Sequence, residues 1–207
     1  LRDIKKLPPA HAIKFDLATG EFRKQRYWNL PKKQFTSESS RNIDFLCNNI
    51  DELLSSSVEK QLHADVPVGI LLSGGLDSSI ITAMATRFSR DLKTFTIRFP
   101  GNNEFDETKH ARLIAQYFNT NHTELDAQDT EPEFLIELSE AIDEPIIDSS
   151  IIPTFLVSKL VRKHCKVVLG GDGGDELFCG YNRYQLTENL WRKLANMPMP
   201  LRKLAAR

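Results

Sequence analysis

The sequence predicts an α/β fold, a parallel sheet flanked by helices, and three observations carry that prediction. Runs of strand length alternate with segments of helical periodicity from about residue 40 onward. The run Val66-Pro67-Val68-Gly69-Ile70-Leu71-Leu72 is apolar throughout, as befits a strand buried on both faces of a parallel sheet. A glycine-rich turn, Ser73-Gly74-Gly75-Leu76-Asp77-Ser78-Ser79, follows it at once. In sheets of this kind such turns are where ligands bind.

The elements follow in order. Pro8-Pro9, Gly20 and Pro31 punctuate residues 1–36, which read as a hairpin of Ala12–Leu17 and Glu21–Trp28 followed by a linker. From Ser39 or Ser40, either of which can serve as N-cap, Ile43, Leu46, Ile50, Leu53 and Leu54 recur at helical spacing up to about Leu62. That amphipathic helix opens the main domain, 37–207. After the Val66–Leu72 strand, Ile80–Phe88 reads as a helix, Thr94–Phe99 as a strand and Thr108–Phe118 as a helix. His122–Leu125 adds a short strand, Glu133–Ile142 and Pro153–His164 are helical, and Lys166–Leu169 is a further buried strand. The tail after Tyr181 is helical and stays apolar and basic from Leu201 to Arg207.

Composition narrows the class. With 41% hydrophobic and 27% charged residues among 207, the chain can bury a core, which argues against disorder, collagen and coiled coil. A formal net charge of -1 supplies no field for a polyanion, so neither nucleic acid nor a membrane surface is an expected partner. Any phosphate must be held locally. The 3 cysteines, Cys47, Cys165 and Cys179, lack metal-site spacing and read as reduced thiols of a cytoplasmic protein without zinc. The apolar stretch Val66–Thr86 is interrupted by Ser73, Gly74, Gly75 and Asp77 and is no membrane span. No signal peptide is visible and residue 1 is Leu, which suggests a fragment of a longer protein.

The first glycine loop lies between a buried strand and a helix, where backbone N–H groups and the helix dipole attract an anion. Gly74 and Gly75 allow close approach, and Ser73, Ser78 and Ser79 offer hydroxyl donors, so the loop can wrap a pyrophosphate without a basic residue. It is not a Walker A loop, because Leu76 and Asp77 stand where that pattern needs Lys and Ser or Thr. Asp77 would repel a triphosphate unless Mg²⁺ stood between them; the alternative is that it caps a helix beginning near Ser78. A second loop, Gly170-Gly171-Asp172-Gly173-Gly174-Asp175-Glu176, follows the last strand and favours the metal, since two acidic glycine loops at one sheet edge can share it. It is no dinucleotide fingerprint, because the third Gly of that spacing falls on Glu176.

The string Ser-Gly-Gly-Leu-Asp-Ser-Ser after Asp-Val-Pro-Val-Gly-Ile-Leu-Leu, with the Thr94–Phe99 strand, Asp143-Glu144-Pro145 and the glycine loop continuing to Tyr184, resembles the synthetase domain of glutamine-hydrolysing asparagine synthetases. These belong to the PP-loop ATP pyrophosphatase superfamily. The resemblance runs from Leu7-Pro8-Pro9, similar to the end of the family's glutaminase domain, to Tyr184. It implies an adenine nucleotide α-hydrolase-like fold, ATP cleaved between its α- and β-phosphates, an acyl-adenylate formed on a carboxylate such as aspartate, and ammonia displacing AMP. The ammonia would come from an N-terminal glutaminase domain that a chain beginning at Leu1 does not supply. Residue by residue, the resemblance assigns Ser73, Gly74, Gly75, Asp77, Ser78 and Ser79 to pyrophosphate, and Leu72 and Ile97 to the nucleoside. It assigns Gly170 and Gly171 to further nucleotide contacts, Asp77 and Asp175 to Mg²⁺, and Asp172 to an acid-base or substrate-binding role.

There are departures. Gly170 stands where Ser is common, Asp172 where Glu is common, Cys179 where Gly is common and Ser149 where an arginine is usual; a lost guanidinium removes a bidentate contact. The family's distal lysine lies beyond Arg207. Among other residues, His122 reads as structural, Asp106 and Glu107 as acids favoured by a helix dipole, and Tyr181–Tyr184 as either substrate contact or packing. Related readings are a ligase resembling β-lactam synthetase, an amidotransferase for another carboxylic acid, and a nucleotide-binding domain without turnover. A homodimer is left open.

Overall fold

A computed structural model describes residues 4–30, 42–98, 107–127, 132–143, 146, 148, 150–195, 197–199 and 202. Pro31, Ser39, Ser40, Phe99, Asp106, Glu144, Pro145, Ser149, Leu201 and residues 203–207 lie outside them, as does the expected 36/37 domain boundary. The chain divides into two compact units, Leu1–Asn49 and Ile50–Arg207.

In the first unit, β1 (His11–Phe15) and β2 (Phe22–Arg26) form an antiparallel hairpin with Phe15 opposite Phe22. Its turn is made by Asp16, whose side chain accepts the N–H groups of Ala18 at 2.9 Å and Thr19 at 3.0 Å while its carbonyl accepts Gly20 N–H at 2.9 Å. Those donors hold the Asp16 carboxyl below its ordinary range. β2 is shorter at both ends than the sequence predicts, whereas β1 begins one residue earlier and ends two residues sooner.

Helix α1 (Ile43–Leu62) forms where predicted, but of the apolar positions expected on one buried face Ile43, Leu46, Ile50 and Leu53 are exposed, and only Leu54, joined by Val58 and Leu62, packs in the core of the second unit. That unit continues with β3 (Val68–Leu71), α2 (Leu76–Ala85), β4 (Lys93–Arg98), α3 (Thr108–Tyr117), β5 (Asn121–Asp126), α4 (Pro132–Ala141), α5 (Ile151–Val161), β6 (Val167–Leu169), α6 (Gly174–Phe178) and α7 (Asn182–Ala195). The four strands form one parallel sheet in the order β5-β4-β3-β6. The predicted α/β class is what the structure shows.

Period-two alternation assigns the two faces. Ile70 packs with Val58, Met84, Ala85 and Leu92 toward α1 and α2, and Leu72 packs with Ala111 and Ala115 of α3. Leu71, between them, joins Phe95, Val161 and Cys165 on the α5 side. β3 is therefore buried on both faces, as its unbroken apolar run predicts.

Of the predicted elements of the second unit, β5 and α2 differ in ways that bear on the site. β5 is not a short strand but pairs with β4 along all of Asn121–Asp126. Its polar composition hides it, since an edge strand needs only one packed face. Helix α2 begins at Leu76, ahead of the predicted Ile80, because Ser79 donates its backbone N–H and its hydroxyl to the Gly75 carbonyl at 3.1 and 2.7 Å and so closes the first turn directly after the loop. Among the described residues no helix is long and apolar enough to cross a membrane.

His122 occupies a polar seam on β5. Its Nδ1 lies 2.9 Å from Thr94 Oγ1, which also meets Thr120 Oγ1 at 2.8 Å, while the buried Nε2 has no partner among the described residues. Burial, outweighing the opposing pull of Glu124, pushes its pKa below 6.5. A histidine held neutral in the fold but free to protonate when unfolded lowers stability as pH falls through the unfolded value. The expected result is a urea midpoint that declines below about pH 6.5, with the decline shallower in His122→Gln. Parallel pH profiles for parent and variant would refute this role.

Candidate functional site

From β3 the chain steps outward to β4 and β5 and later returns to set β6 on the other side of β3. The switch point thus lies between β3 and β6, and loops leaving the carboxyl ends of strands at such a point diverge and leave a crevice. Here they are the two glycine loops, bordering one cleft of ≈ 530 Å³.

The first loop is held by its own side chains. Ser73 N–H donates to Ser78 Oγ at 3.2 Å, the two serine hydroxyls meet at 3.0 Å, Gly75 N–H donates to Ser73 Oγ at 3.2 Å, and Ser78 Oγ donates to the Gly75 carbonyl at 3.2 Å. The hydroxyls of Ser78 and Ser79 are thereby turned inward, Ser78 being only 6% exposed. What the loop offers an anion is chiefly backbone: the first-turn N–H groups of α2, which have no intrahelical acceptor. Gly74, at φ +84°, passes under α3, where a Cβ would lie 2.6 Å from Ala111 N and 2.7 Å from His110 Cβ. Gly75 fills the N-cap position without a side-chain cap, so the alternative role of Asp77 as helix cap is set aside: Asp77 is the second helical residue.

Asp77 instead meets the second loop. A Cβ on Gly174 would lie 2.5 Å from Asp77 Cγ, and one on Gly171 would lie 2.9 Å from Asp77 Cβ. A Cβ on Gly170 would lie 2.6 Å from Asp172 Oδ2, and one on Gly180 would overlap Asp175 Oδ1. Asp77, Asp172 and Asp175 are thus each seated where a neighbouring glycine leaves room for the acid. The departures at positions 170 and 172 meet at one of these seats.

Of the residues proposed from the sequence, Leu72, Ser73, Gly75, Asp77, Ser78, Ile97, Gly170, Gly171, Asp172 and Asp175 border the cleft, whereas Gly74 and Ser79 support it from behind. Leu72 is 1% exposed, with its side chain in the core under α3, and its carbonyl accepts the Thr96 hydroxyl; it borders the cleft through what little surface is left. Leu71, Ile97 and Val157 form an apolar end. Five carboxylates, Asp77, Glu107, Asp172, Asp175 and Glu176, line the remainder, and among the described lining residues there is no Lys, Arg or His.

Sequence reasoning treated Glu107 as a dipole effect and left Glu176 without a role. Glu107 holds the N-cap position of α3 with no capping hydrogen bond and borders the cleft. Glu176 accepts the Tyr181 hydroxyl at 2.6 Å, which holds its carboxyl below the ordinary range, and Arg183 stacks over the Tyr181 ring at 4.1 Å. Tyr181 packs against Tyr184, the packing role left open for that segment, and it also borders the cleft. The nearness of Glu176 and Tyr181 in the sequence, on either side of the end of α6, was the available signal.

Helix α6 was not predicted. It ends at Cys179, a non-glycine residue at φ 59°, where helices commonly place glycine. Relief of a left-handed side-chain penalty of roughly 1–2 kcal/mol outweighs the ~0.5–1 kcal/mol of unfolded-chain entropy that glycine adds. Cys179→Gly should therefore raise stability by about 0.5–1 kcal/mol, read from urea denaturation; a loss would show that the thiol makes a compensating contact.

Fold and cleft define a doubly wound α/β domain with a cleft at the switch point. The sequence model of the asparagine synthase family matches residues 49–207, and the chain belongs to that family. A Methanocaldococcus jannaschii protein provisionally named asparagine synthetase (glutamine-hydrolyzing) 2 is 39% identical over 179 residues, covering 85% of this chain and 34% of its own. Asparagine synthetase (glutamine-hydrolyzing) 1 of Bacillus subtilis is 34% identical over 166 residues, covering 78% of this chain and 25% of its own. The chain thus spans about a third or less of these relatives. Among solved structures, an NH3-dependent NAD synthetase from Campylobacter jejuni superposes with a TM-score of 0.42 at 18% identity over 65% of this chain and 60% of that one.

Proposed function

We propose that the chain is the ATP-dependent amide-forming domain of an asparagine-synthetase-like amidotransferase. A carboxylate oxygen of the acid substrate, aspartate in the first instance, attacks the α-phosphorus of ATP. The α–β phosphoanhydride bond breaks and pyrophosphate leaves. Ammonia then attacks the acyl carbon of the adenylate, loses a proton, and AMP departs to leave the amide. The ammonia is supplied by glutamine hydrolysis in a glutaminase domain, an activity named in the relatives.

The observation that carries this reading is a cleft at the switch point that combines helix N-terminal donors with five carboxylates and no cationic side chain among its described residues. A polyphosphate enters such a cleft only with a divalent cation. Among the described residues no three His, Cys, Asp or Glu side chains converge as a metal cage. That donor set suits Mg²⁺, which binds through one or two carboxylates and completes its shell with phosphate oxygens and water. Asp77 and Asp175 would hold it, and it would offset charge developing on the pyrophosphate. Leu71, Ile97 and Val157 receive the nucleoside, the α2 N-terminus and the Ser73–Ser79 loop receive the phosphates, and Asp172 faces the reacting acyl group as acid-base or substrate-binding residue.

The test is pyrophosphate release by the full-length protein with ATP, Mg²⁺, aspartate and ammonium chloride. Saturable dependence on aspartate is expected; release of ADP and inorganic phosphate instead would sink the reading. The isolated chain should release no ammonia from glutamine.

One observation favours a different acid. Asp172 is a methylene shorter than the glutamate the family resemblance leads one to expect, which withdraws the carboxylate by roughly 1.5 Å, more than a hydrogen bond tolerates. A longer or less anionic acid would close that gap. Assaying a panel of carboxylic acids decides it: efficient turnover of aspartate alone, with Asp172→Glu no better than the parent, eliminates the altered substrate.

A further inference from the structure

Gly170 is the glycine of the second loop for which the backbone supplies no reason. It is not in the left-handed region, and a Cβ built on it would meet no other element: the nearest atoms are Asp172 Oδ2 at 2.6 Å, Asp172 Cγ at 3.6 Å and Asp172 N at 3.9 Å. Its neighbours differ. Gly171 is pressed by Ser78 N at 3.0 Å and Asp77 Cβ at 2.9 Å, and Gly174 by the Asp77 carboxylate, so both are required where the two loops touch. At Gly170 the occupant of the side-chain position is the Asp172 carboxylate itself. That carboxylate borders the cleft and has no hydrogen-bond or ion-pair partner among the described residues that would hold it there.

We propose that Gly170 is a positioning residue for Asp172: the missing side chain is the seat into which the Asp172 carboxylate turns, so that positions 170 and 172 together set where this acid is presented to a ligand. A contact of 2.6 Å is closer than a Cβ and an oxygen can sit, so any side chain at 170 turns the carboxylate off its seat. Aspartate, with one methylene, has no other way to the same point. Glutamate has a second methylene that can carry the carboxylate around a methyl group. The proposal therefore predicts a specific rescue, and its kinetic arm rests on the amide-forming reading above.

Two measurements test it. The first compares crystal structures of the chain and of Gly170→Ala: the Asp172 carboxylate should leave its parental position in the variant, and an unmoved carboxylate overturns the proposal whether or not the protein is an enzyme. The second follows pyrophosphate release by the full-length protein carrying Gly170→Ala, Asp172→Glu or both. A displacement of ~1 Å at a reacting group costs on the order of tenfold to a hundredfold in rate. Gly170→Ala should accordingly lower kcat by at least about tenfold with KM for ATP within about twofold. The double variant should regain at least about fivefold over Gly170→Ala alone, a coupling that independent sites do not show. Simple multiplication of the two single effects would overturn the proposal. Absence of pyrophosphate release by the parent would remove the amide-forming reading and leave the crystal comparison to decide. Should Gly170→Ala fail to fold, adding Asp172→Ala removes the overlapping carboxylate and must restore folding; failure of that pair also overturns it.

Discussion

Asp77→Asn is expected to weaken binding of Mg-ATP by roughly tenfold or more, about 1.4 kcal/mol, while changing AMP binding by less than about twofold. The Asp77 side chain lies against Gly171 and Gly174, where the isosteric asparagine keeps the packing between the two loops. What the substitution removes is one negative charge beside the position the β- and γ-phosphates would take. AMP carries a single phosphate and has little need of a bridging cation, whereas ATP in a cleft lined by five carboxylates depends on one. Calorimetric titration of the chain with both nucleotides, with and without Mg²⁺, measures the difference. Equal losses for AMP and Mg-ATP would remove Asp77 from the metal site and return it to a packing role.

Gly74→Ala is expected to lose about 3 kcal/mol of stability and to abolish nucleotide binding, because two costs coincide. At φ +84° an alanine pays a left-handed penalty of roughly 1–2 kcal/mol. Its Cβ would also sit 2.6 Å from Ala111 N and 2.9 Å from His110 C, backbone atoms of a packed helix that cannot turn aside, and forced overlap in a packed region costs typically 1–3 kcal/mol. Gly173 is the control. It has φ +92° but open space around its Cβ position, so Gly173→Ala should lose only the conformational part, about 1–2 kcal/mol. Urea unfolding of the two variants separates the terms. Equal losses would show that α3 yields to the Cβ and that the loop is not pinned beneath it.

Much of the site is legible in the sequence because its chemistry is local. An unbroken apolar run followed by glycines, serines and an acid means a buried strand feeding an anion-binding helix, whatever lies beyond it, and the second glycine-acid string speaks in the same way. Asp77, Asp172 and Asp175 could be named from those strings, and all three border the cleft.

The meaning of individual residues within the strings was less accessible. Ser78 and Ser79 read as donors to phosphate, yet their hydroxyls close the loop on Gly75; a hydroxyl can bond inward or outward, and the sequence does not distinguish the two. Gly74 reads as a ligand-facing glycine, and its need for glycine comes from α3, more than thirty residues later. Glu107, Val157 and Tyr181 reach the cleft from three separate segments. No local pattern marks Glu107 or Val157 as cleft residues, because the side that a helix presents to the cleft depends on how the helices pack.

By itself the sequence determined the α/β class, the burial of β3 on both faces and the two glycine loops that follow strands, since each follows from relations between residues a few positions apart. Only the tertiary structure decided that β6 lies beside β3, and with it that the two loops share one cleft. Strand order is set by long-range pairing: residues nearly a hundred positions apart, Ile70 and Leu169, become neighbours because a central strand buried on both faces by helices needs a hydrogen-bonding partner along each edge. Only that pairing brings the acids of both loops to one cleft.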